Sequence, residues 1–166
     1  MDLIVDRAGF ASWGGLSLRC AVGRGGIRHE KREGDGATPV GAWPMRRLLF
    51  RADRVGEPAT RLPKQAIAPS DGWCDAPEDR SYNLPVSLPY PASAEALWRE
   101  DRVYDLIVPL GYNDAPVVPG MGSAIFLHLA RSDYAPTEGC VALATPDLVR
   151  VLAEADTGSS IIVRED

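Results

Sequence analysis

Residues 123–143 read SAIFLHLARSDYAPTEGCVAL. The stretch begins with the apolar run Ser123–Leu129, which predicts a buried strand. A histidine, His128, lies near the end of that run, and a cysteine, Cys140, follows a glycine twelve residues later. A loop of this length can fold back on itself, so the two side chains can meet.

Other short stretches of the sequence also predict local structure. Seven of the fourteen prolines lie between Pro58 and Pro91, which predicts a long and mostly irregular segment. Residues 91–98 (PASAEALW) predict a short helix that begins near Ser93. Apolar or alternating runs predict further strands at Leu3–Val5, Leu16–Val22 and Tyr104–Leu110.

The end of the chain has the clearest helix pattern. Thr145 is a candidate cap, Pro146 occupies a favourable first position, and Gly158 is a candidate stop. Ile161–Val163 then predicts a final strand. The expected fold class is mainly β, or α+β: one strand-rich domain over residues 1–166 with a short C-terminal helix followed by a strand. The predicted apolar stripe of that helix is Leu148, Val149, Val151 and Leu152.

Composition and charge exclude several classes of protein. The 166 residues carry 18 Lys and Arg against 23 Asp and Glu, a net charge of −5, and the basic residues are not interleaved with aromatics. We therefore expect no nucleic-acid partner. No apolar run is long enough to span a membrane, the amino terminus lacks a signal-peptide pattern, and no coiled coil is apparent, so a monomer is expected.

The chain has only three cysteines and two histidines. This count excludes a framework of several disulfides and disfavours a zinc site, because no two cysteines have the short spacing that such sites use. Cys20 and Cys74 are interpreted as structural, with a disulfide between them left open. His29 lies among charged residues and is expected to be exposed.

Cys140 and His128 are the remaining pair, and their chemistry suits acyl transfer. A neighbouring imidazole can hold a cysteine as the thiolate, which is the nucleophilic form. Gly139 permits a sharp turn that can aim backbone N–H groups at one point, as an oxyanion hole requires. The alternative is a buried strand histidine and a cysteine that acts as a small apolar residue.

Two motifs favour the catalytic interpretation. His128 followed by Thr137-Glu138-Gly139-Cys140-Val141 resembles the signature of the YkuD-type L,D-transpeptidases, which has a histidine and then Ser/Thr-x-Gly-Cys before a branched aliphatic residue. The segment EGDGATPVG at 33–41 is similar to the upstream Gly-Asp-x-x-Thr-Pro-x-Gly segment of the same family. The two motifs lie about a hundred residues apart and together cover most of the chain.

This resemblance implies a mostly β catalytic domain that cross-links peptidoglycan stem peptides in the cell envelope or periplasm. Cys140 would be the nucleophile, and His128 its base and later its acid. Backbone amides around Gly139 would stabilise the oxyanion. Neither a metal ion nor an organic cofactor is implied.

The sequence departs from the family pattern at three points. Glu138 and Ala142 occupy positions where the family often has histidine and arginine, and the spacing from histidine to cysteine is short. These departures favour an atypical donor position or acceptor. Arg131, which lies between His128 and Cys140 in sequence, is a candidate replacement for the lost cation.

Further residues are candidates for binding the substrate. Tyr112 and Asn113 follow the strand before His128 and either border the cleft or form a plain turn. Tyr134 and Trp73 either line a groove or simply pack in the core. The full candidate set is Thr137, Glu138, Arg131, Tyr134, Tyr112 and Asn113.

Three other functions stay open at this point. Water could resolve the Cys140 thioester, which would make the protein an L,D-carboxypeptidase or amidase. The domain could instead be a non-catalytic cell-wall-binding module, although it keeps both His128 and Cys140. A cytosolic thiol hydrolase acting on small peptides is the third alternative.

Overall fold

A computed structural model describes all residues, 1–166. The chain forms fifteen strands and two helices. In chain order they are β1 (Leu3–Val5), β2 (Phe10–Trp13), β3 (Leu16–Ala21), β4 (Ile27–Arg28), β5 (Thr38–Pro39), β6 (Gly41–Pro44), β7 (Leu48–Phe50), α1 (Ala52–Val55), β8 (Lys64–Ala66), β9 (Asp71–Cys74), β10 (Pro85–Ser87), β11 (Ala94–Ala96), β12 (Leu106–Pro109), β13 (Phe126–Leu129), β14 (Val141–Leu143), α2 (Thr145–Glu154) and β15 (Ser160–Val163). The predicted strand-rich fold class with a C-terminal helix and strand is confirmed.

Ten strands form one large sheet in the order β6-β15-β1-β2-β3-β14-β13-β12-β7-β8. A smaller sheet, β10-β9-β11, and a short pair, β4-β5, complete the β-structure. Helix α2 buries Leu148, Val151 and Leu152 in a core of 24 residues that also takes side chains from the large sheet. This core holds β13 and β14 in place, side by side near the middle of the sheet.

Helix α2 differs in detail from its predicted form. Ala144 occupies the cap position and Thr145 is the first helical residue, so Thr145 makes no capping hydrogen bond. Val149 is 47% exposed and lies outside the apolar stripe. The helix ends at Glu154, ahead of Gly158, and Gly158 instead belongs to the turn that leads into β15.

The helix predicted at residues 91–98 is wrong. Residues 94–96 form β11, in which Ala94 pairs with Cys74 and Ala96 with Gly72 on β9. A helix of two turns is marginal on its own, so pairing with a neighbouring strand overrides the local propensity. The proline-rich segment is mostly irregular, as predicted, and it contains the three short strands β8, β9 and β10.

No helix in the structure is both long enough and apolar enough to cross a membrane. All three cysteines are free and buried, and Cys20 belongs to the large core. His29 is exposed as predicted, with an ion-pair distance of 3.3 Å to Glu165.

Candidate functional site

The parallel pairing of β13 with β14 brings His128 and Cys140 to one face of the sheet. His128 pairs with Ala142, and Leu127 pairs with Val141. Because side chains alternate along a strand and paired residues share a face, Cys140 lies on the same face as Ala142 and His128. Both side chains line one cavity of about 460 Å³.

His128 is held in one orientation. Its Nδ1 lies 2.9 Å from the carbonyl oxygen of Leu129, and the ring of Tyr104 packs edge-on against the imidazole at 5.3 Å between centroids. A carbonyl only accepts hydrogen bonds, so we assign the proton of the neutral ring to Nδ1, which leaves Nε2 as the free base. Burial lowers the pKa of His128 to about 4.

Cys140 is 6% exposed and its sulfur has two backbone neighbours. The Phe126 N–H donates to Sγ at 3.3 Å, and Sγ lies 3.3 Å from the carbonyl oxygen of Ala124. Burial, followed by the negative charge of Glu95, raises the pKa of the Cys140 thiol to about 12. Burial thus disfavours the charged form of both groups in the free protein, whereas the sequence predicts that the imidazole favours the thiolate.

The loop before Cys140 is closed by its own residues. The Thr137 hydroxyl donates to the carbonyl oxygen of Cys140 at 2.7 Å and accepts from the Gly139 N–H at 3.2 Å. Gly139 has φ +131°, and a Cβ there would lie 2.8 Å from the carbonyl oxygen of Ala37. Only glycine fits this position without strain.

The upstream motif at 33–41 supports this loop from behind. The Asp35 carboxylate accepts from the Ala37 and Arg32 N–H groups at 2.8 and 2.7 Å, and it pairs with the buried ammonium of Lys31 at 2.8 Å. The Thr38 hydroxyl accepts from the Gly23 N–H at 2.8 Å and lies 3.4 Å from the Cys140 carbonyl oxygen. The two motifs, distant in sequence, thus form one hydrogen-bonded unit.

Three of the six predicted substrate-binding residues line the cavity: Arg131, Thr137 and Glu138. Arg131 lies 3.3 Å from the carboxylate of Asp101. Glu138 pairs with Arg24 at 2.8 Å, and both side chains are exposed.

The other three do not line the cavity. The guanidinium of Arg19 lies 4.3 Å from the centre of the Tyr134 ring. The Tyr112 ring packs edge-on against Trp43 at 4.9 Å, and the side chain of Asn113 closes a turn through the backbone of Val118. These contacts agree with the turn interpretation of Asn113 and with the packing interpretation of Tyr134.

Trp73 belongs to a packed cluster. Its ring lies 5.0 Å from that of Phe126, and its indole N–H donates to the Asn83 side chain at 2.9 Å. The packing interpretation of this tryptophan accounts for its contacts.

Sequence reasoning missed several polar residues that line the cavity. Glu95 and Tyr104 are hydrogen-bonded to each other, and Glu33 is hydrogen-bonded to Ser123. A helix predicted over Glu95 hid its pairing with β9. Tyr104 precedes a strand as part of an ordinary apolar run, so no local signal marked either residue. Asp75 and Arg99 complete this group.

No group of three or more His, Cys, Asp or Glu side chains is arranged to hold a metal ion. The polar atoms of the cavity are instead a thiol, an imidazole, hydroxyls, carboxyl groups and guanidinium groups. This set can supply a nucleophile, a base and charged contacts for a substrate.

The sequence matches the family model YkuD, described as the L,D-transpeptidase catalytic domain, over residues 9–163. Among curated proteins, no sequence matches the chain. Similar solved structures include an L,D-transpeptidase from Mycobacterium smegmatis, with 13% identity, a TM-score of 0.44, and coverage of 98% of this chain and 58% of that one. Another is the helical cell shape determining protein Pgp2 from Campylobacter jejuni, with 14% identity, a TM-score of 0.45, and coverage of 99% and 47%. This chain spans about half the length of these proteins.

Proposed function

The chain belongs to the YkuD family of L,D-transpeptidase catalytic domains, and on that premise we propose that it joins peptidoglycan stem peptides through a thioester on Cys140. The observation that carries the proposal is the shared sheet face of His128 and Cys140, from which both side chains open into one cavity. The whole of residues 1–166 acts as the catalytic domain in this proposal.

In the first step, Sγ of Cys140 attacks a carbonyl carbon of the donor stem peptide. His128 takes the thiol proton on Nε2 during the attack, because the free thiol is not ionised at neutral pH. The C–S bond forms, the C–N bond breaks, and His128 returns the proton to the departing amine. The product is a thioester with a neutral imidazole.

Backbone N–H groups of the turn at Gly139 and Cys140 stabilise the tetrahedral oxyanion in this scheme. In the free protein the Gly139 N–H donates to the Thr137 hydroxyl over 3.2 Å. A developing negative charge is a stronger acceptor than a neutral hydroxyl, so it can replace that partner.

In the second step, the side-chain amine of a second stem's diamino acid attacks the thioester and releases Cys140. The close alternative is attack by water, which would make the protein a carboxypeptidase or amidase. The polar lining of the cavity favours keeping that alternative, because only seven of the 18 residues that line it are hydrophobic.

Purified muropeptides incubated with the protein and resolved by mass spectrometry test the proposal. Transpeptidation yields cross-linked dimers, and their fragments identify the donor bond; hydrolysis yields trimmed monomers. Cys140→Ala should abolish both products, whereas Cys74→Ala, which removes a buried thiol outside the cavity, should keep them. Products that persist in Cys140→Ala would overturn the thioester mechanism.

Two further measurements address the alternatives. A carbapenem should add covalently to Cys140, and intact-mass analysis of the wild type and Cys140→Ala detects the adduct. Unchanged in-cell activity of Cys140→Ala would favour a non-catalytic wall-binding module.

The proposal also includes the cellular location and the oligomeric state of the protein, and both can be tested. Peptidoglycan places the proposed activity in the periplasm or cell envelope, with a monomer as the acting species. Recovery of the native protein only in the cytosol would favour the thiol-hydrolase alternative. Light scattering on the purified protein measures the oligomeric state.

A further inference from the structure

Glu95 is a carboxyl group of the cavity that the scheme above leaves without a role. It lies on β11, at the centre of the pairing with β9, and its side chain lines the same cavity as Cys140 and His128. Its Oε1 accepts a hydrogen bond from the Tyr104 hydroxyl. Its Oε2 has no hydrogen bond, and no basic side chain forms an ion pair with it.

Tyr104 connects Glu95 to the reacting groups. The tyrosine ring packs edge-on against both His128, at 5.3 Å, and Phe126, at 5.9 Å between centroids. Phe126 in turn donates its N–H to Sγ of Cys140. Glu95 therefore belongs to the same packed unit as the nucleophile and the base, and its negative charge is close enough to raise the pKa of the Cys140 thiol.

The nearby cation, Arg99, acts on Glu95 only through its charge, which lowers the pKa of the carboxyl group, and it makes no hydrogen bond to it. The guanidinium of Arg99 lies 5.2 Å from the centre of the Tyr104 ring, but both of its hydrogen bonds go to the Asp101 carboxylate, at 2.8 and 2.7 Å. Asp75 and Glu33 line the same cavity and add negative charge near Glu95. A substrate that carries a positive charge can supply the ion-pair partner that Glu95 lacks in the protein.

We propose that Glu95 binds and deprotonates the acceptor. Its carboxylate binds the side-chain ammonium of the acceptor stem and takes the proton that this group must lose before the amine attacks the Cys140 thioester. This inference rests on the proposed transpeptidase function. In this proposal, Glu95 determines whether the acyl-enzyme reacts with the acceptor amine or with water.

The proton balance of this step is complete. The ammonium gives one proton to Glu95, and the resulting amine forms a C–N bond with the thioester carbon. His128 takes the second proton from the tetrahedral intermediate and gives it to Sγ as the C–S bond breaks. Glu95 then releases its proton to solvent. Burial raises the pKa of Glu95, which makes its carboxylate a stronger base than an exposed one.

The test is the partition of the acyl-enzyme between amine and water in Glu95→Gln. The variant should still form the acyl-enzyme from donor muropeptide, but the ratio of cross-linked dimer to hydrolysed monomer should fall by about a hundredfold, the low end for general-base catalysis. Hydroxylamine is uncharged at neutral pH and should trap the thioester equally well in the variant and the wild type. Glu78→Gln, on the exposed surface outside the cavity, is the matched control and should keep the wild-type ratio.

An unchanged ratio in Glu95→Gln, or an equal loss of trapping by hydroxylamine, would overturn the assignment. Tyr104→Phe keeps the ring but removes the hydroxyl that holds Glu95, so it should lower the ratio by a smaller factor. It provides the same test if Glu95→Gln does not fold. Failure of the proposed function has a different signature, because the wild type itself would then form neither the acyl-enzyme nor the dimer.

Discussion

The two faces of strands β13 and β14 carry opposite kinds of residue. On one face, Leu127, Leu129, Val141 and Leu143 are at most 4% exposed and belong to the large core that α2 covers. On the other face, Phe126 and Cys140 belong to a smaller cluster of nine residues, and His128 packs against Tyr104 of that cluster. The same backbone hydrogen bonds serve both faces.

One face of this pair of strands therefore contributes to the stability of the fold, and the other face carries the groups proposed to react. Each aliphatic side chain on the core face stabilises the fold by about 1.5–3 kcal/mol through burial. On the cavity face, burial works against charge: it raises the pKa of the Cys140 thiol and lowers that of the His128 imidazole. The core face fixes the geometry on which the cavity face depends.

Cys140→Ala should have the largest effect on chemistry and a smaller one on stability. Acyl-enzyme formation should fall by at least about a thousandfold, because no other thiol lines the cavity. The free energy of unfolding should change far less than for a substitution on the core face. Intact-mass spectrometry after incubation with donor muropeptide measures the first effect, and denaturant unfolding measures the second. An acyl adduct on the variant would contradict the comparison.

Leu127→Ala should show the reverse. Removing this fully buried side chain should lower the free energy of unfolding by about 2–5 kcal/mol, as large-to-small substitutions in cores do. Urea unfolding at neutral pH measures the loss. Val149→Ala, at a position 47% exposed on α2, is the control and should change stability little. A similar small effect at Leu127 would mean that the core face does not hold the strands.

His128→Gln should flatten the pH dependence of stability. The folded state lowers the pKa of His128 from 6.5 to about 4, so its contribution is present above pH 6.5 and is lost as the pH falls through 4. The free energy of unfolding of the wild type should therefore drop by up to about 3 kcal/mol more than that of the variant. Urea titrations between pH 8 and pH 4 give this difference. Parallel curves for the two proteins would contradict the buried neutral imidazole.

Thr38→Val should weaken the contact between the two motifs. The substitution leaves the buried Gly23 N–H without its acceptor, which should cost about 1–3 kcal/mol of stability. Acylation of Cys140 should also slow, because the Cys140 carbonyl loses one of its two hydroxyl neighbours. Thermal unfolding and the rate of the carbapenem adduct measure the two effects. Loss of stability without slower acylation would show that the upstream motif does not act on the loop.

Arg131→Ala should have the smallest effect on stability. The side chain is 53% exposed and pairs with Asp101, so the free energy of unfolding should change by no more than about 0.5 kcal/mol. Turnover of muropeptides should nevertheless fall if Arg131 replaces the arginine that the family often has at the position of Ala142. Arg150→Ala, on the exposed surface of α2, is the control. Unchanged turnover in Arg131→Ala would remove this residue from the site.

Much of the fold could be predicted because its signals are local. The runs that became β1, β3, β12 and β13 are short and either apolar or alternating, and the final strand follows a proline-initiated helix. The helix predicted over Glu95 is wrong because a three-residue strand has no pattern of its own; its partner on β9 decides its conformation. The same error hid Glu95 from the candidate site.

The sequence by itself determined the family, the strand-rich fold class and the candidate pair of Cys140 and His128. Motifs and apolar periodicity are patterns within short stretches of sequence, so they can be recognised without the structure. Only the tertiary structure decided the rest. It placed Glu95 and Tyr104 in the same cavity as that pair and left Tyr112, Asn113 and Tyr134 outside it. Burial in the fold also raised the pKa of the thiol and lowered that of the imidazole. Burial and pairing between distant strands depend on the whole fold, so no local stretch of sequence can specify them.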